Sequence, residues 1–214
     1  MNIAIIPARG GSRRVPRKSI RIFHDKPIIE YSIDTALASG LFSAVVVSTD
    51  DDEIGEIARA DGALTWPRPA ALAVDNVGTQ EVIRDALIGL YPNGNYPAYV
   101  CGVYATAPLM TADDLKRGFA YLIEGGKEIV FPVGSCVVDG VEHWADAGQW
   151  YWQTRDAVMR CRDPHEGFSN LMGDIGMFPL PADRVCDINT MEDWARAHYM
   201  YAVLKSLDAA KPQE

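Results

Sequence analysis

The chain is short of positive charge, of cysteine and of long apolar runs, and each shortage removes a class of protein. Twenty Lys plus Arg stand against 29 Asp plus Glu, a formal net charge of −9 over 214 residues. Such a surface repels polyanions, so nucleic acid is not expected as a partner. No segment approaches the roughly 20 apolar residues that span a bilayer, and the opening MNIAIIPAR carries neither a basic lead nor a long apolar stretch. A cytoplasmic protein with no membrane partner is expected. The four cysteines, Cys101, Cys136, Cys161 and Cys186, form no C-x-x-C pair. In a reducing compartment they are expected to stay free and to serve in packing. Repeats, low-complexity tracts and linkers are also missing. With 48% hydrophobic residues the chain can bury one full core, so a single domain over residues 1–214 is expected, with a small irregular subdomain at about 134–181.

What the sequence does have is concentrated in residues 3–21, IAIIPARGGSRRVPRKSIR. Ile3-Ala4-Ile5-Ile6 is short and apolar, as a strand covered on both faces should be, and Pro7 ends regular pairing. A glycine loop follows at the strand's carboxyl end, where open α/β sheets bind ligands. Gly10-Gly11-Ser12 is expected to turn with positive φ and present N–H groups to an anion, while Arg9, Arg13, Arg14, Arg17, Lys18 and Arg21 supply charge. A polyphosphate is the expected guest. The spacing matches neither G-x-x-x-x-G-K-[ST] nor G-x-G-x-x-G, and a plain tight turn or a solvated basic patch would use the same residues.

Further along, helical and strand patterns alternate. A helix at 27–39 leads to a buried strand at 44–48, then Thr49-Asp50 and a helix carrying Ile54, Ile57 and Ala58. Residues 79–90 read as an amphipathic helix through Val82, Ile83, Ala86 and Leu87, followed by a strand at 98–104. Thr111 stands three residues before Asp114, and Thr190 three before Asp193, the spacing of two helix-opening caps. A strand is expected at 128–133, and the rhythm lapses over 134–181. Asp50, Asp51 and Asp52 sit at a strand–helix junction, where carboxylates favour the helix dipole more often than they bind metal. Trp150, Tyr151 and Trp152 are expected in the core. His143 and His165 fall in the irregular region as surface or packing residues.

The segments IPARGGSRRVPRKSI, VVVSTDDDEI, RPAALAVDN, VYATAPLM, DAGQWYW and VCDINTMEDW, in this order, resemble the nonulosonic acid cytidylyltransferases, the CMP-sialic acid synthetase-like family, and within it the branch acting on pseudaminic acid. The resemblance covers most of residues 2–133 and again 145–204. It implies an α/β, Rossmann-like nucleotidyltransferase fold with a mostly parallel central sheet flanked by helices and a shortened β-rich insertion. It implies CTP and a nonulosonic acid as substrates, a CMP-sugar and pyrophosphate as products, and Mg²⁺ or another divalent cation as cofactor. By position, Ala8, Arg9, Gly10, Gly11, Ser12, Arg13 and Lys18 would hold the CTP phosphates, with Arg68 and Thr79 near the cytosine or ribose. Tyr104, Thr106 and Gln149 would line the sugar site. Asp187 and Asn189 would hold the metal, and Arg9, Lys18 and Asp187 would act in catalysis.

Three positions and one segment depart from the family pattern. Ser19 stands where asparagine is usual after Arg-Lys, Asn189 where the signature has its second acidic residue, and Ala145 where a histidine commonly precedes the DAGQ aspartate. The segment between Phe131 and Asp146 is much shorter than in the family, where it contributes to sugar recognition and to a dimer interface; a homodimer is an expectation that this shortening bears on. A CMP-sialic or CMP-legionaminic acid synthetase, a CTP-binding relative without turnover, and a transferase acting on a hexose phosphate are the competing readings.

Overall fold

Alternation in the first strand builds the core. In β1 (Asn2–Pro7) successive side chains point to opposite faces of the sheet, and all of Ile3, Ala4, Ile5 and Ile6 are buried. Both faces must therefore be covered. The structure, a computed structural model, describes residues 1–160 and 173–210, with the backbone alone at 136–138. The Cys136 side chain, Cys161 and His165 lie outside the described residues.

After β1 come a two-stranded hairpin, β2 (Ile22–Phe23) and β3 (Lys26–Pro27), then α1 (Ile28–Ala38), β4 (Ala44–Thr49), α2 (Asp52–Ala60), β5 (Leu64–Pro67), α3 (Thr79–Leu90), β6 (Tyr99–Val103) and α4 (Ala112–Glu124). The second half carries β7 (Ile129–Val138), β8 (Val141–Asp146), β9 (Trp150–Thr154), α5 (Arg155–Arg160), β10 (Ile175–Pro179) and α6 (Met191–Ala209). The main sheet has the order β10-β7-β9-β6-β1-β4-β5, with β8 on β7. β1 pairs in parallel with both β4 and β6, β4 with β5, and β10 with β7, whereas β9 runs antiparallel to β6 and β7. The sheet is mixed and mostly parallel, flanked by helices, as the sequence resemblance implies.

Ala4 and Ile6 join one cluster with Ile29 and Ile33 of α1, Ile54 and Ala58 of α2, and Leu115 of α4. Ile3 and Ile5 join another with Ile83, Ala86 and Leu87 of α3 and Val158 of α5. A third cluster seats α6 through Trp194 and Ala197 on Val15, Phe23 and Ile28. Trp150 and Trp152 are fully buried core residues. Both expected helix openings are capping boxes, Thr111 with Asp114 and Thr190 with Asp193, and each supplies partners for backbone N–H groups that a helix start leaves free.

Over 134–181, where the sequence pattern lapses, the described residues hold regular structure. β7 runs ten residues and turns through Asp139 and Gly140, at φ 52° and 78°, into β8. Two consecutive positive-φ residues suit the right-handed twist of a two-residue hairpin. The β-like piece that the sequence shows at 149–152 is β9; interruption of the pattern by this turn explains why periodicity does not find β8.

Gly118 of α4 has a packing reason to be glycine: a Cβ there would lie 2.2 Å from Cη2 of Trp150. Helix propensity would favour alanine by about 1 kcal/mol, but overpacking against a ring with no room to retreat costs about 1–3 kcal/mol. Gly118→Ala is therefore expected to lower the denaturant midpoint; an unchanged or higher midpoint would mean that Trp150 relaxes freely.

Candidate active site at the switch point of the sheet

The chain leaves β1 for β4 and β5 on one side and crosses back to β6 on the other. The loops after β1 and β6 therefore diverge, and ligands of open α/β sheets bind in the crevice so created. Here it is a cleft of about 410 Å³, walled by Arg9, Arg13, Arg14 and Lys18 after β1, Arg68 after β5, Gly78 and Thr79 at the start of α3, Tyr104 and Thr106 after β6, and Asn189 before α6.

The loop after β1 divides its charge. Arg17 takes a left-handed conformation, φ 54° and ψ 33°, which costs a non-glycine residue roughly 1–2 kcal/mol. Its guanidinium turns away from the cleft and ion-pairs with Asp51 and Glu53 at the start of α2. Lys18, one residue on, turns inward and donates to the Ile188 carbonyl at 2.6 Å. Burial lowers the Lys18 pKa, Asp187 opposes that shift, and Arg14 and Arg9 add to it. Arg9 and Arg13 both meet Asp75, at 2.6 and 3.3 Å, so a carboxylate already sits between two arginines of the cleft.

The glycines work differently from the expectation. Neither Gly10 nor Gly11 has positive φ; the left-handed residue of this loop is Arg17. Gly10 is needed for close approach, since a Cβ there would lie 2.3 Å from Asp51 Oδ2. Its N–H donates to Asp50 at 3.2 Å. Asp51 caps α2 by accepting from the Ile54 N–H, in line with a structural role for that acidic run.

Arg68 is buried and donates to the Ser48 carbonyl at 2.7 Å, while its Nε has no protein partner. Burial pushes its pKa down to about 10, which leaves it charged at neutral pH. Asp187 lies over Gly148, whose φ is 64° and where a Cβ would come within 2.7 Å of the carboxyl carbon. Asn189 donates its amide to Asp187 Oδ2. Beside them Asp146 accepts from the Tyr151 hydroxyl and, at 2.9 Å, from the Gly148 N–H.

Of the residues singled out by sequence, Arg9, Ser12, Arg13, Lys18, Arg68, Thr79, Tyr104, Thr106 and Asn189 come together on the cleft. Ala8 is buried in the core, and Gly10, Gly11 and Asp187 lie behind or beside the lining. Gln149 is buried with its amide nitrogen on the Arg184 carbonyl at 2.6 Å and its Oε1 without a partner. Ser19, noted in the sequence as a departure from the family pattern, also lines the cleft; Asp75 and Gly78 line it and were missed, although RPAALAVDN signals Asp75. Arg21 faces elsewhere, over the Trp194 ring.

A mostly parallel sheet with a basic loop at its switch point defines a nucleotide-binding α/β protein. The comparisons make that particular: the chain belongs to the cytidylyltransferase family, which matches residues 3–160. It is 33% identical, over 94% of its length and 97% of the relative's, to pseudaminic acid cytidylyltransferase of Campylobacter jejuni serotype O:2. It is 31% identical, over 60% of this chain and 56% of the relative, to CMP-N,N'-diacetyllegionaminic acid synthase of Legionella pneumophila. A solved CMP:2-keto-3-deoxy-manno-octonic acid synthetase complexed with CTP shares the fold at TM-score 0.73 and 16% identity, covering 95% of this chain and 99% of that one. The chain is a nucleotidyltransferase.

The two directions taken by Arg17 and Lys18 are testable. Losing a charged hydrogen-bond donor in the cleft costs about 1.5–3 kcal/mol, so Lys18→Met is expected to weaken CTP about 10- to 100-fold by calorimetry. Arg17→Met removes only exposed ion pairs, worth about 0–1 kcal/mol, and is expected to leave affinity within a few-fold. Equal losses in both variants would contradict the inward and outward assignment.

Proposed function

We propose that the chain transfers CMP from CTP to the anomeric hydroxyl of a nonulosonic acid, pseudaminic acid first, and releases pyrophosphate. The observation that carries the reading is end-to-end similarity to a pseudaminic acid cytidylyltransferase, combined with a cleft whose basic wall and acidic rim suit the two halves of that reaction. The hydroxyl oxygen attacks the α-phosphorus in line as pyrophosphate leaves, a reaction that positioning and charge neutralisation accelerate.

Arg9, Ser12, Arg13 and Lys18, with the backbone of Ala8, Gly10 and Gly11, hold the triphosphate, and Arg9 and Lys18 offset charge growing on the pyrophosphate. Binding draws Arg9 and Arg13 away from Asp75. Arg68 and Thr79 hold the nucleoside, the unpartnered Arg68 Nε being free to donate. Tyr104 and Thr106 line the acceptor site, and Gln149 supports it from behind with its unused Oε1.

A divalent cation, Mg²⁺ in the first instance, fits Asp187 and Asn189. Both side chains offer oxygen donors, which suits a hard cation that takes one or two protein oxygens and completes its shell with substrate phosphates and water; among the described residues no group of three or more His, Cys, Asp or Glu is placed to hold an ion. The space over Gly148 keeps the Asp187 carboxylate against the loop that carries Asp146. Bound there, the ion would supply charge stabilisation on phosphate oxygens. A cytoplasmic setting fits Cys101 and Cys186, which are free and buried, and among the described residues no helix is long and apolar enough to cross a membrane.

Pyrophosphate release from CTP with Mg²⁺ and a panel of pseudaminic, legionaminic and sialic acids tests the reading. Release with pseudaminic acid is expected to be fastest, and Asp187→Ala is expected to lower kcat by about 10²-fold or more. Preference for legionaminic or sialic acid would move the acceptor and keep the chemistry. CTP binding with no release under any cation would sink the transferase reading.

A further inference from the structure

The reaction must dispose of a proton, and the cleft lacks the usual acceptor. Among the described residues no histidine lines it: His24 and His198 pack against each other and against Phe23, and His143 is exposed on β8. Lys18 and the arginines are cations, and Asp75, the carboxylate of the lining, is ion-paired to Arg9 and Arg13. What leads out of the cleft is a line of hydroxyls.

Tyr104, at the carboxyl end of β6, lines the cleft, and its hydroxyl interacts with those of Thr79 and Tyr151. The Tyr104 and Tyr151 rings are 6.1 Å apart between centroids. Tyr151, on β9, stacks on Phe131 at 5.2 Å and donates its hydroxyl to Asp146 Oδ2. The antiparallel pairing of β6 with β9 sets Gly102 opposite Tyr151 and ties the Tyr104 N–H to the Gln149 carbonyl at 2.8 Å, so the backbone itself fixes the two tyrosines side by side.

We propose that Tyr104, Tyr151 and Asp146 form a relay that carries the proton of the attacking hydroxyl from the cleft to a buried carboxylate. The hydroxyl oxygen forms its bond to the α-phosphorus, and its proton passes to the Tyr104 oxygen. Tyr104 gives its own proton to Tyr151, and Tyr151 gives its own to Asp146 Oδ2. The bond from the α-phosphorus to the bridging oxygen breaks with its electron pair going to pyrophosphate. Each tyrosine ends as it began, neutral, and the proton rests on Asp146 until it is returned after product release. No other reactant is needed.

Burial raises the pKa of both tyrosine hydroxyls well above the ordinary phenol range, so they pass a proton on instead of ionising alone. Burial also raises Asp146, against the lowering effect of its bonds to Tyr151 and Gly148. A carboxylate made more basic than usual is a better proton acceptor.

The inference rests on the transferase reading, and one set of assays separates the two. Tyr151→Phe removes a single oxygen from a ring that stays stacked on Phe131 and leaves Asp146 its bond to Gly148. Its kcat is expected to fall about 10²-fold, the usual scale for general-base loss, with KM for both substrates and calorimetric CTP affinity unchanged. Asp146→Asn is expected to match it, and the double variant to be no slower than either single one, because members of one relay are not additive. Tyr151→Phe at wild-type rate would overturn the relay, as would a higher KM with kcat intact, which would make Tyr151 a sugar-binding group. Should Asp146→Asn fail to fold, Tyr151→Phe decides alone. Wild-type protein inactive with every acceptor would remove the transferase reading and the relay with it.

Discussion

Everything in this molecule hangs on β1 being paired in parallel on both sides. Two parallel neighbours require two crossovers, one on each face, and these cover the alternating Ile3, Ala4, Ile5 and Ile6 with helices. The same constraint opens the crevice, because loops leaving the carboxyl ends of β1 and β6 depart in opposite directions. Core and cleft are thus one consequence. A parallel sheet cannot be closed without creating a place where its polar ends face solvent or a ligand.

Charge placement in the first loop follows from backbone geometry more than from the number of basic residues. Six basic side chains lie between Arg9 and Arg21, yet the left-handed turn at Arg17 sends that residue to α2 and Lys18 into the cleft. Asp75 meanwhile holds Arg9 and Arg13. The basic wall is thus held together by a carboxylate, and under the proposed function an incoming triphosphate would replace that contact instead of ordering free side chains.

Opposite that wall, antiparallel β9 intrudes into an otherwise parallel pattern. By pairing with β6 it brings Tyr151 beside Tyr104 and the Asp146–Gly148 turn beneath Asp187. Acidic residues far apart in sequence come together at the rim, whereas the three consecutive aspartates at 50–52 serve the loop and the start of α2.

The sequence by itself determined the strand at residues 3–6, the helix at 79–90 and both capping boxes, because each depends on contacts within a few residues. It also carried enough of the family's motifs to identify the transferase class. Only the tertiary structure decided that Arg17 and Lys18 face opposite ways, that Gly10 is glycine to admit Asp51, and that Asp146 receives the Tyr151 hydroxyl. Of the strands within 134–181, the sequence marks only the piece at 149–152; β8 and β10 emerge from pairing across the sheet. These features rest on residues 5 to 170 positions apart, and no local pattern records which of many buried side chains will meet once the backbone has folded.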